Sequence, residues 1–463
     1  MCKKTTPEGL MGNNQNLNKV AAVIGAGPAG LYAAKQLAAN GVRVALINRD
    51  IKPGGLAEYG IYHSKHKMKQ GLRKQFRKIL ELPEINYYGN VMVGQDSGLS
   101  LEDLREMGFQ AIMVAVGAQG TKWLGLPGED LNGVYHAKDI VYHYNRLPPF
   151  STQPFLIGDR VALIGVGNVM IDIAHWAIRD LKVDEVVAVA RRGPQEVKFT
   201  KKEMENVANN LDQAALETEI ERVKERMQAV DQDPQAAKDF ILSALPKAKE
   251  PVSESRFLFQ FLSSPCRIIG DEDGNVIGLE VEDTKLVPRN GDTKARGLET
   301  KRILDVDTVV FCIGDKVDDG FGLPVQWNEF VKHPEPEYPV KDVSFEAYNH
   351  EAEEPVEGVF VSGWSREASS GLVGVARKDG ENGAAALSQY LEKQAPVNDT
   401  GEVIEKLEKV LRENFDAVVT KEDIKKLEEA EVEEAQKLGL EAYKMKSNEE
   451  MLAAIGRETA PGD

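Results

Sequence analysis

Two glycine-rich segments carry the clearest chemical signal in this sequence. The first runs from Gly25 to Gly30 and reads Gly-Ala-Gly-Pro-Ala-Gly; the second runs from Gly165 to Met170 and reads Gly-Val-Gly-Asn-Val-Met. Each follows a short apolar run and precedes a helix-like pattern, so each predicts a strand, a tight turn and a helix whose N-terminal N–H groups bind a pyrophosphate. Two such turns indicate a protein that binds two dinucleotides, the arrangement in which a flavin and a nicotinamide exchange hydride.

The glycines of the first segment have separate expected tasks. Gly25 permits the tight turn, Gly27 lets the backbone approach the pyrophosphate, and Gly30 lets the helix pack closely on the sheet. The next predicted strand ends at Asn48, where an acid usually binds the ribose hydroxyls. We expect Asn48 to make that contact without charge, or Asp50 to make it if the loop folds inward. The alternative is a nucleotide-free α/β domain with a structural glycine turn.

The second segment is followed by paired arginines. A predicted strand ends at Arg191 and Arg192, where an NAD-selective domain would place an acid. Two guanidinium groups bind a 2′-phosphate through charge-assisted, often bidentate hydrogen bonds, which favours NADPH over NADH. Met170 replaces a small residue, so we expect the helix to move off the strand or the pyrophosphate site to narrow. Ordinary surface charge is the alternative interpretation of the two arginines.

Length and charge limit the class of protein. The chain has 463 residues and a formal net charge of −17, which predicts two or three α/β domains and disfavours binding to nucleic acid or an anionic membrane. No apolar run is long enough to span a membrane and the first residues are polar, so we expect no membrane insertion and a cytoplasmic location.

Cysteine content excludes two kinds of redox chemistry. The three cysteines, Cys2, Cys266 and Cys312, cannot supply four thiolates for an iron–sulfur cluster and include no C-x-x-C pair. Cys266 and Cys312 lie in apolar, strand-like runs and are predicted to be buried and inert. No metal site is predicted.

A further series of segments points to a family. They are residues 54–61, 114–118, 126–128, 190–194, 257–265, 359–364, 371–374 and 418–453. In composition and order they resemble the adrenodoxin-reductase-type ferredoxin–NADP reductases, and the resemblance extends from about residue 20 to about residue 457. It implies an enzyme with FAD and NADP(H) as cofactors and with ferredoxin or a similar acidic one-electron carrier as its partner.

The resemblance also implies the architecture. We expect an α/β protein with two Rossmann-like three-layer dinucleotide-binding domains, the nicotinamide domain inserted into the FAD domain, and a helical C-terminal segment. The expected ranges are 18–118 and 326–463 for the FAD-binding domain and 119–325 for the NADP-binding domain. Local patterns add a helix pair within 203–250, a hairpin turn at 271–275, a long loop over 333–358, and helices after Thr420 and Ser447.

Cofactor residues are carried over from the family position by position. For FAD they are Gly25, Gly27, Pro28, Ala29, Gly30, Asn48, Gly55, Leu56, Val93, Gly117, Gly363, Trp364, Gly371, Leu372 and Val373. For NADP they are Gly165, Val166, Gly167, Asn168, Val169, Arg191, Arg192, Glu203 and Gly371. No catalytic side chain is expected, because hydride transfer depends on the stacking and distance of the two rings.

A basic segment suggests a docking surface. No acidic residue lies between Glu58 and Glu81, and apolar residues recur there at helical spacing, so we predict an amphipathic helix with its charges outward. The hypothesis is that it binds an acidic iron–sulfur protein; a solvated basic face is the alternative. The cations are Lys65, Lys67, Lys69, Arg73, Lys74, Arg77 and Lys78, and the apolar residues are Met68, Leu72, Phe76 and Ile79.

The sequence departs from the family near this segment. Glu58 stands where the family has arginine, and residues 62–66 and 367–370 differ from the family's elements. The electron carrier could therefore differ from an adrenodoxin-like protein. Two other readings stay open: an electron-input subunit resembling the small subunit of glutamate synthase, and a degenerate nucleotide-binding redox sensor, motivated by Asn48, Glu58 and Met170.

Overall fold

The computed structural model describes residues 18–368 and 371–457, which form two compact units. The first unit contains the described residues up to Gly120 and those from Lys316 onward, and the second spans Thr121–Asp315. The second unit is thus inserted into the first. Short strands lie at the two crossings, β5 (Gly120–Thr121) and β14 (Asp315–Lys316).

A six-stranded sheet organises the first unit. Its strands are β1 (Val20–Ile24), β2 (Arg43–Asn48), β3 (Ile85–Gly89), β4 (Ala111–Val114), β17 (Glu346–Asn349) and β18 (Glu354–Val361). They lie in the order β17-β18-β4-β1-β2-β3, and β17 alone pairs antiparallel. A two-stranded hairpin, β15 (Val325–Gln326) and β16 (Glu329–Phe330), lies apart from this sheet.

Helices cover both faces of this sheet. Alternate residues of a strand point to opposite faces, so Ala21 and Val23 of β1 enter one core cluster while Ala22 and Ile24 enter the other. The unit therefore has three layers, helix on sheet on helix. Its helices are α1 (Pro28–Ala39), α2 (Leu56–Tyr59), α3 (His66–Leu80), α4 (Leu101–Met107), α10 (Val373–Lys393), α11 (Thr400–Asn414), α12 (Lys421–Leu438) and α13 (Asn448–Ala454).

The second unit has a five-stranded parallel sheet in the order β6-β13-β7-β8-β9. Those strands are β6 (Val134–His136), β7 (Arg160–Ile164), β8 (Glu185–Val189), β9 (Arg256–Gln260) and β13 (Thr308–Phe311). Three more strands, β10 (Ser263–Gly270), β11 (Val276–Arg289) and β12 (Asp292–Leu304), form an antiparallel sheet. The helices are α5 (Ala137–Tyr144), α6 (Asn168–Trp176), α7 (Lys201–Met204), α8 (Gln213–Gln228) and α9 (Pro234–Leu242).

The layers of the second unit differ from those of the first. Ile164 and Val189 of the parallel sheet share a core cluster with Ile268, Leu279 and Val281 of the antiparallel sheet. One face of the parallel sheet is therefore covered by strands. The Rossmann-like α/β class predicted for this unit holds, with a β layer on that face.

Local predictions can be checked along the chain. The helix pair (α8 and α9) is present, and so is the turn at 271–275, where Asp271 Oδ1 accepts hydrogen bonds from the N–H groups of Asp273 and Asn275. Helices follow both Thr420 and Ser447. The prediction of a long loop over 333–358 is wrong, because β17 and the first half of β18 lie there. Phe345 and Ala347 are buried, and this burial holds β17 on the edge of the sheet.

In the described part of the chain, no helix is long and apolar enough to cross a membrane. Cys312 is buried, as predicted, and burial raises the pKa of its thiol. Cys266 is half-buried, while Cys2 lies outside the described residues.

Candidate functional site

The first glycine turn has the geometry of a phosphate-binding turn. Gly25 adopts a φ of +98°, and the helix α1 begins directly after Gly27, with no side chain capping its N-terminus. A Cβ built on Gly27 would have no protein atom within 4 Å. Open space therefore lies at the positive end of the α1 dipole, where an anionic group binds best.

Close packing behind the turn explains the other two glycines. A Cβ on Gly25 would lie 2.4 Å from the carbonyl oxygen of Ala115, and one on Gly30 would lie 1.8 Å from the carbonyl oxygen of Gly25. Gly380 of α10 meets the same helix, since its Cβ would lie 2.1 Å from the carbonyl oxygen of Ala29. The helix, the turn and α10 are thus held in backbone contact.

Asn48 supports the turn from within the protein. Its Oδ1 accepts a hydrogen bond from the N–H of Ala26 at 2.9 Å, and its Nδ2 donates to the carbonyl of Asp50 at 2.7 Å and that of Lys52 at 3.2 Å. The side chain is buried. Its Nδ2 already donates to two carbonyls, so its predicted contact with a ribose would have to use the second lone pair of Oδ1.

The Gly54–Gly55 loop lies against the same turn. The N–H of Gly54 donates to the carbonyl of Ala26 at 2.7 Å, and a Cβ on Gly55 would lie 3.1 Å from the Cα of Gly27. Both glycines have positive φ values, and Leu56 begins α2 immediately afterwards. The structure thus brings together two sequence segments that were predicted separately as parts of one site.

The segment after β18 completes this site. A Cβ on Gly363 would lie 2.6 Å from the Cβ of Ala29, and the N–H of Gly117 donates to Ser365 Oγ at 3.0 Å. The N–H of Gly363 donates to Asp379 Oδ2, which also binds Arg366. The chain around Trp364, which is half-buried, is therefore fixed between α1 and α10.

The N-terminus of α10 is open. Leu372 is the N-cap residue, no side chain among residues 18–368 and 371–457 caps the helix, and Gly371, Leu372 and Val375 are exposed. An uncapped helix end bordered by exposed apolar residues suits a planar, partly anionic ring. Val373 is half-buried there. Val93, another predicted FAD residue, has its side chain buried in the core.

The second unit carries a similar turn. Gly165 has a φ of +124°, its Cβ would lie 2.5 Å from the carbonyl oxygen of Cys312, and nothing lies within 4 Å of a Cβ on Gly167. The α6 helix starts after Gly167 without a side-chain cap. Its first hydrogen bond, from the N–H of Ile171 to the carbonyl of Gly167, is 3.4 Å long, against 2.9 Å for the matching bond in α1. This looser start accompanies a fully buried Met170, in the direction expected.

A loop joins the second turn to Glu203. The N–H groups of Lys198 and Phe199 donate to the carbonyl of Val166, and the N–H of Thr200 donates to Asn168 Oδ1 at 2.9 Å. Glu203 follows in α7, half-buried, and Val169 is exposed at the turn. The predicted NADP residues of this unit thus lie around the carboxyl ends of β7 and β8. Gly371, also predicted to contact NADP, belongs to the first unit.

The paired arginines follow β8 as predicted, but one has an unpredicted partner. Arg191 is exposed, whereas Arg192 Nη1 contacts both carboxylate oxygens of Asp292 at 3.2 Å. Asp292 lies at the tip of the β11–β12 hairpin, which brings Arg289 and Lys294 to the same cavity. Sequence reasoning missed this tip, because a contact across 100 residues leaves no local pattern.

The predicted basic face of α3 is only partly correct. Lys67, Lys74, Arg77 and Lys78 are exposed and Lys65 is half-buried, but Lys69 is buried, and Met68, predicted to face the core, is 53% exposed. Burial lowers the pKa of Lys69 to about 6. The outward orientation predicted for Lys69 is therefore wrong, because this part of α3 also faces a polar interior.

That interior is a buried ionic cluster around Glu58. Glu58 is 2% exposed, and its carboxylate binds Arg73 Nε at 2.7 Å and Lys444 Nζ at 2.7 Å, with Lys52 Nζ at 4.0 Å. Lys52 also binds Glu431 of α12 at 2.5 Å. Arg73 therefore bonds inward. Helical spacing could not predict this cluster, because Glu431 and Lys444 join it from distant parts of the chain.

Comparisons with known proteins agree with this geometry. A family model described as pyridine nucleotide-disulphide oxidoreductase matches residues 19–243. NADPH-ferredoxin reductase FprA of Mycobacterium leprae is 29% identical over 417 residues, covering 82% of this chain and 85% of the relative. The mitochondrial NADPH:adrenodoxin oxidoreductase of Arabidopsis thaliana is 27% identical over 404 residues, with coverages of 80% and 82%.

A solved structure of a variant of FprA from Mycobacterium tuberculosis is 25% identical to this chain, with a TM-score of 0.77 over 95% of this chain and 99% of that one. The sequence has no C-x-x-C motif for the disulphide chemistry in the family description. The described residues contain no cluster of histidine, cysteine and acidic side chains that could hold a metal ion.

Proposed function

We infer that this chain, a member of the adrenodoxin-reductase-type ferredoxin–NADP reductases, uses FAD to move electrons between NADPH and a one-electron iron–sulfur carrier. When bound, FAD accepts a hydride from the nicotinamide and releases its two electrons singly. The observation that carries this inference is the pair of open glycine turns, each with space at Gly27 or Gly167 and an uncapped helix behind it.

The first unit supplies the FAD site in this proposal. The N–H groups at the start of α1 would bind the pyrophosphate beside Gly27, and the Gly54–Gly55 loop would close that side of the turn. The open N-terminus of α10 would face the flavin, where its positive dipole end stabilises added negative charge. Exposed Leu372 and Val375 would then be covered.

Anaerobic titration with NADPH tests the function directly. Purified protein should be yellow, bleach on adding NADPH, and then reduce ferredoxin. A protein that cannot be loaded with FAD would support the redox-sensor alternative instead. Copurification from native extract separates a free reductase from an electron-input subunit, because only the second would come with a fixed complex.

Replacing both Arg191 and Arg192 with alanine should weaken the binding of NADPH far more than the binding of NADH. A hydrogen bond between one guanidinium and the 2′-phosphate contributes about 1.5–3 kcal/mol, or roughly 10- to 100-fold in affinity, so with both arginines removed we expect KM for NADPH to rise by at least about 100-fold. KM for NADH, which has no 2′-phosphate, should change less than about threefold by the same argument. Steady-state reduction of a dye measures both. Equal loss with the two cofactors would contradict the placement of the phosphate.

The exposed part of α3 is the proposed docking surface, reduced to the residues that point outward. Lys74 and Lys78 are four residues apart and therefore lie on one face of the helix. Reversing both charges, K74E with K78E, should raise KM for ferredoxin by about three- to tenfold, because charge complementarity sets the encounter rate. NADPH–dye activity should stay unchanged.

K409E on α11 is the matched control, since Lys409 has a 72% exposed side chain. An unchanged KM for ferredoxin in the double variant would rule out docking on this face of α3.

We also propose a cytoplasmic location, although some relatives of this chain are mitochondrial. Fractionation of native cells decides it.

A further inference from the structure

The tip of the β11–β12 hairpin forms one wall of the cavity beside the paired arginines. The cavity has a volume of about 520 Å³ and is lined by Arg191 and Arg192 on one side and by residues 289–290 and 292–295 of the hairpin on the other. Arg289 and Lys294 add two cations to this lining, and Asp292 is its acidic residue. The cavity is thus strongly positive apart from one carboxylate.

That carboxylate engages Arg192. Arg192 Nη1 donates to both oxygens of Asp292 at 3.2 Å and to the carbonyl of Thr293 at 3.3 Å. The N–H of Thr293 holds Asp292 Oδ1 at 2.7 Å. This backbone bond and the Arg192 guanidinium keep the pKa of Asp292 below its ordinary value. The carboxylate is therefore charged at neutral pH and engages Nη1 of the guanidinium that a 2′-phosphate would use.

The hairpin itself is fixed in place. Thr284 of β11 is 2% exposed, and its Oγ1 donates to the carbonyl of Arg191 at 2.7 Å. Thr293 Oγ1 donates to Glu196 Oε1 at 2.6 Å. These bonds tie the tip to the loop that carries the arginines. Asp292, by contrast, has a 75% exposed side chain, so its carboxylate can rotate away while the hairpin stays.

We propose that Asp292 is an internal substitute for the 2′-phosphate of NADP(H), and that cofactor binding exchanges this carboxylate for the phosphate on Arg192. Arg289 and Lys294 supply further attraction for the phosphate from the hairpin side. This inference rests on the proposed function, because it assigns the cofactor phosphate to this cavity. Asp292 then lowers the affinity for NADP(H) and leaves the affinity for NAD(H) unaffected.

Calorimetric titration of the FAD-loaded full chain tests the exchange. The probes are 2′,5′-ADP and 5′-AMP, which differ only in the 2′-phosphate. D292N should bind 2′,5′-ADP about three- to tenfold more tightly, as expected when one exposed competing charge is removed. Its affinity for 5′-AMP should stay unchanged. The double variant R289A/K294A should bind 2′,5′-ADP about three- to tenfold more weakly for the same reason.

D273N is the matched control. Asp273 is an exposed acid in the turn before β11, and the 14 residues of that strand separate it from the tip. The D273N variant loses one negative charge from the same unit, as D292N does, but it should leave the affinities for both probes unchanged. A gain in D273N equal to that in D292N would reduce the effect to net charge and overturn the proposal.

The outcomes separate this inference from the proposed function. If R192A weakens the binding of 2′,5′-ADP but D292N leaves that affinity unchanged, the phosphate site stands and the exchange is overturned. If D292N strengthens both probes equally, the exchange is overturned as well. If R192A itself has no effect on the binding of 2′,5′-ADP, Arg192 does not hold the phosphate and the exchange is overturned, whereas the proposed function is still decided separately by bleaching of the FAD-loaded protein with NADPH.

Discussion

Replacing Gly30 with alanine is expected to leave the protein unable to retain FAD. The added Cβ would lie 1.8 Å from the carbonyl oxygen of Gly25 and 3.3 Å from the Cβ of Ala115. Both obstacles belong to the turn and the strand end behind it, so α1 must move away from the sheet. Overpacking of this kind costs about 1–3 kcal/mol or more, and here it moves the N–H groups that would bind the pyrophosphate. The FAD content of purified protein, read from its visible absorbance, measures the result.

Gly27→Ala separates loss of the ligand from loss of the fold. Gly27 has an extended backbone, and nothing lies within 4 Å of its added Cβ, so alanine should fold normally. The methyl group would occupy the space left for the phosphate. We therefore expect low FAD content with an unchanged circular dichroism spectrum. G71A in α3, where the Cβ also meets open space, should retain FAD fully. Full FAD retention in G27A would contradict the placement of the pyrophosphate.

These glycines also show what a sequence can predict. Gly25, Gly27 and Gly30 act over six residues, and the strand, turn and helix that they join are local. The signal is therefore contained in spacing alone. The same holds for the capping residue Thr420, whose side chain accepts a hydrogen bond from the N–H of Asp423 three positions later. Local hydrogen bonds of this kind define where elements begin.

Charged residues show where such reasoning fails. Helical spacing predicts an exposed lysine whether its side chain faces water or a buried carboxylate. Lys69, predicted to be exposed, is buried. The hydrogen bonds of Asn48 to backbone groups were not predicted either, and its contact with the ribose stays a prediction. The contact between Arg192 and Asp292 joins a strand end to a hairpin tip 100 residues away, and periodicity carries no information about such a partner.

Glu58→Gln is the second variant with a large expected effect, and this one acts on folding. Glu58 is buried beside Lys52, Arg73 and Lys444. Glutamine keeps the shape but leaves these cations without their shared carboxylate. Removing one partner of a buried ion pair costs about 3–5 kcal/mol, so we expect the free energy of unfolding of FAD-loaded protein to fall by that order. Denaturant titration measures it.

E433Q is the matched control, because Glu433 lies exposed on α12. Its effect should stay within about 0.5 kcal/mol, as for most surface substitutions. An E58Q protein as stable as E433Q would mean that the cluster gains nothing from the Glu58 charge.

The pH dependence gives the prediction its sign. Burial alone would raise the pKa of Glu58, but Lys444, Lys52 and Arg73 outweigh it and hold the pKa well below the ordinary 4.5. A carboxyl with a lowered folded-state pKa stabilises the protein fully above its unfolded pKa, and this contribution is lost as the pH falls through the folded value. The difference between wild type and E58Q should therefore shrink below about pH 4.5.

The difference should shrink on the alkaline side as well. Burial lowers the pKa of Lys444 to about 8, even though the Glu58 carboxylate raises it. Above that pH, Lys444 is largely neutral and no longer needs the carboxylate. Loss of Glu58 should thus cost most between about pH 5 and 7, and clearly less at pH 9. A cost that is constant from pH 4 to 9 would contradict this account, because it would not follow the titration of Glu58 or of Lys444.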